Sequence, residues 1–126
     1  MTRKVLIVDD SKLARMAVIK ALDSLHPDWT RFEAADAATA LALVQRESPD
    51  IALLDFNMPG MDGLVLAAEV RALNSKIRVA VISANHQVEV VDRARTAGAA
   101  FLAKPLTADA LRGFLGSAPG SQQGAG

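Results

Sequence analysis

The chain has no cysteine among its 126 residues, which excludes a disulfide-stapled scaffold, a thiol nucleophile and a thiolate zinc site. Its two histidines, His26 and His86, are too few and too far apart for an imidazole metal site. Charge of either sign is not in excess: 14 Lys and Arg balance 14 Asp and Glu, for a formal net charge of zero. Direct binding to nucleic acid or to an anionic membrane through a basic surface is therefore not expected. No apolar run nears the ~20 residues of a membrane-spanning helix, and Met1-Thr2-Arg3-Lys4 leads into only four apolar residues. With no export signal in view, the expected compartment is the cytoplasm. No segment repeats. The turn after the first apolar run, Asp9-Asp10-Ser11-Lys12, lacks the glycines of a phosphate-cradling loop.

What is present is the composition of one soluble domain, 51% apolar and 22% charged, enough to bury a core. Short apolar runs alternate with helical patterns. Residues 5–8, 51–54 and 77–82 are nearly unbroken apolar runs of strand length, 100–103 is a fifth short strand, and 31–34 is a weaker, alternating one of edge-strand type. Between them, Ala14, Ala17, Val18, Ala21, Leu22 and Leu25 lie at helical spacing, behind Asp10 or Ser11 as cap and ahead of Pro27. Ala37, Ala40, Leu41 and Val44 follow Asp36 as N-cap. Leu66, Val70 and Leu73 mark a third helix, and Val90, Ala94 and Ala97 a fourth that Gly98 stops. Leu111 and Leu115 mark a short helix over 107–115. Residues 57–63, rich in turn formers, are expected to be loop. The chain divides into a domain over 1–115 and an uncharged tail over 116–126 with the composition of a flexible linker. Five βα units in series predict an α/β fold: a three-layer, doubly wound, five-stranded parallel sheet with helices on both faces.

Four of the five strands end in residues with chemical potential: Asp9-Asp10, Asp55, Ser83 and Lys104. Ligands of open α/β sheets bind at the carboxyl ends of the strands, so a suitable strand order would gather these groups into one cleft. Three carboxylates and one ammonium leave −2 there, a charge that a hard divalent cation such as Mg2+ would neutralise. An aspartate beside such a cation and a lysine is placed to attack phosphorus. Taken singly, each residue has a plain structural role: the acidic pair caps a helix, Asp55 caps a turn, Ser83 sits in a loop. In order and each at a strand end, they favour the chemical reading.

The motifs Val-Leu-Ile-Val-Asp-Asp at 5–10, Leu-Leu-Asp-Phe-Asn-Met-Pro-Gly-Met-Asp-Gly at 53–63, Ile-Ser-Ala at 82–84 and Phe-Leu-Ala-Lys-Pro at 101–105 carry a resemblance. The chain resembles the response-regulator receiver domains of two-component signalling, in particular single-domain chemotaxis regulators. The resemblance implies the flavodoxin-like strand order 2-1-3-4-5. It makes Asp55 the phosphoacceptor, with a histidine kinase as phosphodonor. It assigns Mg2+ to Asp10, Asp55 and the backbone carbonyl of Asn57, with Asp9 acting through water. Ser83 and Lys104 would hold the phosphoryl group, Ser83 and Phe101 would form the switch, and Lys104–Pro105 would be a cis peptide. The fourth helix, fifth strand and fifth helix would bind the output partner, with Val90, Val91, Arg93 and Arg95 as surface candidates. Asn57 and Asn85 occupy positions that tune dephosphorylation in similar proteins. The protein would be a monomer or a phosphorylation-dependent homodimer, and not an enzyme beyond its own phosphorylation and dephosphorylation. Phe101 lacks the hydroxyl of the tyrosine often found there, and the loop before it is short and lacks the acid used in many DNA-binding relatives' dimers.

Three competing readings fit less well. An aspartyl-nucleophile phosphohydrolase needs a second acid two residues beyond its nucleophile, and 55–57 reads Asp-Phe-Asn. A flavin or dinucleotide module lacks its glycine-rich turn. A phosphorylation-independent interaction domain of receiver ancestry has no need for the full set of acceptor-site residues.

Overall fold

The computed structural model describes residues 3–58, 60–84 and 88–116, without the side chains of Met61 and Val88. Its main sheet has five parallel strands, numbered here in chain order: β1 (Lys4–Val8), β2 (Thr30–Ala34), β3 (Ile51–Asp55), β4 (Arg78–Ser83) and β5 (Ala99–Ala103). The helices are α1 (Lys12–Leu25), α2 (Ala37–Glu47), α3 (Gly63–Leu73), α4 (Val88–Thr96) and α5 (Ala108–Gly116). The strand order is β2-β1-β3-β4-β5, the doubly wound order expected.

Side chains alternate across a strand, and the core divides accordingly. Val5 and Ile7 of β1 pack with Val18 and Leu22 of α1 and with Leu111 and Phe114 of α5. Leu6 and Val8 face the other way, onto Leu43 and Val44 of α2 and Leu66 and Val70 of α3. Every residue of β3 is buried, because helices cover both of its faces. In the edge strand β2 only Ala34 is fully buried, which explains its weak apolar signal.

Local chemistry sets the helix starts. Ser11 accepts from Ala14 N–H, Asp36 from Thr39 N–H, and Thr107 Oγ1 from Ala110 N–H. The expected loop at 57–63 is more ordered: Asn57–Met58 pairs antiparallel with Met61–Asp62 around Gly60, whose φ is +80°. Asp62 then caps α3, accepting from Leu64 N–H at 2.6 Å, so that helix begins at Gly63, the last residue of the expected loop. A Cβ on Gly63 would collide with the Asp55 backbone oxygen and stand 2.7 Å from Phe56 Cα. Only glycine lets α3 start this close to the end of β3. At the C-terminus α5 runs one residue past its expected end, through Gly116. The rest of the expected tail, residues 117–126, lies outside the described residues, as does Asn85. Among the described residues no helix is long and apolar enough to cross a membrane.

Candidate functional site

The chain leaves β1 for β2 on one side and returns to β3 on the other, so a crevice opens beyond the carboxyl ends of β1 and β3. Asp9 and Asp10 stand at the first of these ends and Asp55 closes the second. Carboxylate oxygens of all three lie within 4.8 Å of one another. Asp9 and Asp55 are buried, at 5% and 4% exposure, while Asp10 is open to solvent.

Several backbone contacts hold these acids in place. Asp9 N–H donates to Ala34 O of β2 at 3.1 Å, and Ser11 N–H donates to Asp9 Oδ1 at 2.9 Å. Phe56 N–H donates to Ile82 O at 2.9 Å, which ties the residue after Asp55 to β4. Lys104 N–H donates to Ser83 O at 3.0 Å, so the ends of β4 and β5 are also joined. The Lys104–Pro105 peptide is cis.

The Lys104 ammonium reaches back over the crevice, with Nζ 2.8 Å from Asp55 Oδ1 and 3.5 Å from Asp9 Oδ2. Burial disfavours its charge, but the hydrogen bond and charge of Asp55, together with Asp9, hold its pKa above the ordinary lysine range. Burial likewise raises the Asp9 pKa. Ser11 N–H and Lys104 oppose that rise, and the Asp55 and Asp10 carboxylates add to it. One ammonium does not neutralise three acids. An all-oxygen donor set with uncompensated negative charge fits a hard divalent cation of the Mg2+ type.

A cleft of about 230 Å3 beside the acids is lined by Asp55, Phe56, Asn57, Ser83, Ala84 and Lys104. It brings together the acceptor candidate, the serine, the lysine and Asn57. A larger groove, about 550 Å3, lies elsewhere, between α3 and α4, with Asp92 and Arg93 in its lining. Phe101 is half-buried against the core on the α2–α3–α4 side of the sheet.

The α4 candidates divide. Val90 is 5% exposed and shares the inward stripe with Ala94, so it belongs to the core and not to a partner surface. Val91 is half-buried, and Arg93 and Arg95 are exposed. Arg93 Nη2 bonds Asp62 Oδ2 at 3.1 Å, linking α4 to the cap of α3. One residue at the site went unmarked in the sequence: Arg15 donates to Asp9 O.

Comparison with known proteins agrees with this architecture. Residues 5–115 match the model of the response regulator receiver domain. The probable transcriptional regulatory protein NarL of Mycobacterium tuberculosis is 43% identical over 105 residues, covering 82% of this chain and 49% of the relative. This chain thus spans about half the length of that relative. Sporulation initiation phosphotransferase F of Bacillus subtilis is 32% identical over 89% of this chain and 90% of its own. The structure of chemotaxis protein CheY4 of Vibrio cholerae superposes with a TM-score of 0.82 at 28% identity, covering 92% of this chain and 98% of that one.

Proposed function

The chain belongs to the response regulator receiver domain family, the signalling component of two-component systems, and on that premise we propose that Asp55 is its phosphoacceptor. The observation carrying the proposal is the Asp55 carboxylate, buried 2.8 Å from the Lys104 ammonium and grouped with Asp9 and Asp10. The donor is the phosphohistidine of a histidine kinase. An Asp55 oxygen forms a bond to phosphorus while the P–N bond breaks, and the electron pair leaves with the imidazole nitrogen.

The residues present suit Mg2+. Asp10, Asp55 and the Asn57 carbonyl would hold it directly, and Asp9 through water. When bound, the ion supplies positive charge against the phosphoryl oxygens. Lys104 then exchanges part of its contact with Asp55 for a phosphoryl oxygen, and Ser83 donates a hydrogen bond to another. A phosphoryl group adds up to ~2 negative charges, and the state in which Ser83 and Lys104 close on it satisfies them best. Phe101 moves inward as Ser83 moves toward the phosphate, and the population shift is read on the face formed by α4, β5 and α5.

On this reading the receiver domain extends through the end of α5 at Gly116, and it acts in the cytoplasm, where the kinase draws on ATP. It exchanges its own phosphoryl group without turning over a separate substrate. The output partner binds as phosphorylation directs, to a monomer or to a phosphorylation-dependent homodimer. Incubation with Mg2+ and a small acyl phosphate, followed by intact-mass spectrometry, tests the proposal. The wild type should gain one phosphoryl mass and D55N none. An unmodified wild type, or an equally modified D55N, would overturn it.

A further inference from the structure

Arg15 lies on α1, outside the set of residues that touch the phosphoryl group, yet its side chain is only 15% exposed. Its Nη1 donates to the backbone oxygen of Asp9 at 2.6 Å, and its Nε donates to Glu33 Oε1 of β2 at 2.9 Å. The Asp9 carbonyl belongs to the planar peptide unit that joins Asp9 to Asp10. Whatever fixes that oxygen fixes the plane from which both acidic side chains depart. β2 holds the same turn a second time, because Ala34 O accepts from Asp9 N–H. The guanidinium fork addresses two acceptors on two elements at once, in fixed directions, which a lysine does not do.

The charge balance separates this role from that of Lys104. Glu33 neutralises Arg15, whereas Lys104 faces the acids directly. Arg15 therefore adds little net positive field to the cation site, and its contribution is orientation. We propose that Arg15, aimed by Glu33, is a positioning residue that sets the Asp9–Asp10 peptide for divalent-cation binding. This rests on the phosphoacceptor reading above and extends it to a residue that touches neither ion nor phosphate.

The test is calorimetric titration of MgCl2 into the metal-free, unphosphorylated full chain at fixed ionic strength. Wild type, R15Q, R15K and D10N are compared, each with a melting curve to show that it is folded. Outer-sphere positioning residues are worth about tenfold or more in metal affinity, so R15Q and R15K should each bind Mg2+ about tenfold more weakly. Charge alone predicts the opposite for R15Q, since removing a cation near carboxylates tightens cation binding. Equal or tighter Mg2+ binding by folded R15Q overturns the proposal. Where R15Q does not fold, R15K decides: weaker binding supports the proposal and unchanged binding overturns it. A wild type that binds no Mg2+, or a D10N that binds it as well as wild type, overturns the underlying site reading instead.

Discussion

Two half-buried cations stand at opposite ends of the sheet, Lys104 beyond β5 and Arg78 at the start of β4. Burial disfavours the charge of both. Lys104 nevertheless ends above its ordinary pKa, because the Asp55 and Asp9 carboxylates outweigh desolvation. Arg78 ends below its own, because desolvation is joined by the nearby Arg3 cation. Uncharged groups at the end of α5 hold it: Nη1 donates to Leu115 O at 3.2 Å, Nη2 donates to Phe114 O, and the guanidinium lies 4.6 Å from the Phe114 ring centroid. The carboxylates around Lys104 change their charge when a metal or a phosphoryl group arrives, so that contact can respond. The carbonyls around Arg78 are fixed dipoles at the C-terminal end of α5, where a cation is favourable. The same burial thus serves a responsive contact at one end and a permanent clasp at the other.

The largest expected effect comes from removing the responsive cation. In K104A the fold should persist and Asp55 should still take up a phosphoryl group. The changes in amide resonances of β5 and α4 that phosphorylation produces in wild type should be lost almost completely. A full wild-type response in K104A would break the distinction between the two ends. The next effect is R78A, which removes a charge-assisted contact to the last turn of α5. It should destabilise by about 2 kcal/mol, read as a lower urea midpoint, while phosphoryl uptake on Asp55 stays at the wild-type level. If R78A instead slowed uptake at unchanged stability, the two ends would be coupled and the comparison would need redrawing.

Legibility in the sequence follows the same physical lines. Residues 5–8 and 51–54 were readable as strands because a parallel strand covered on both faces must be apolar throughout. The strand order was not, since periodicity does not say which strands pair; it came from the resemblance, and the backbone pairing now supplies it. Asp9, Asp10, Asp55, Ser83 and Lys104 stood out as polar groups at strand ends, and the fold does gather them around one crevice. Arg15 did not stand out, because an arginine among exposed helix positions has the pattern of any solvated charge. Its bond to a backbone oxygen depends on tertiary placement that no local pattern encodes. The short ladder within 57–62 and the cap of α3 were not legible for a related reason. Asp62 and Gly63 have turn composition, and only their contacts reveal one as a cap and the other as the gap that lets the helix approach Asp55.

Asp36 sharpens the comparison from the exposed limit. It lies in solvent at the start of α2, where burial contributes almost nothing. Its pKa is still lowered, first by the hydrogen bond from Thr39 N–H, 2.7 Å from Oδ1, and then by the Thr39 side chain. A depressed carboxylate stabilises the fold at pH values above its unfolded pKa of about 3.9. That stabilisation is lost as pH falls through the lower folded value. Asparagine at the same position keeps an N-cap acceptor but does not titrate. Urea midpoints of wild type and D36N, measured from pH 7 downward, should therefore diverge least below the folded pKa, the wild type losing its advantage as the carboxylate is protonated. D36A should be less stable than D36N throughout, because it has no acceptor for Thr39 N–H. A wild-type advantage over D36N that stayed constant down to the acid limit would mean that the cap works through shape alone. Directed hydrogen bonding would then not suffice to shift an exposed charge, and the opposite shifts of Lys104 and Arg78 would have to be assigned to burial and charged neighbours alone.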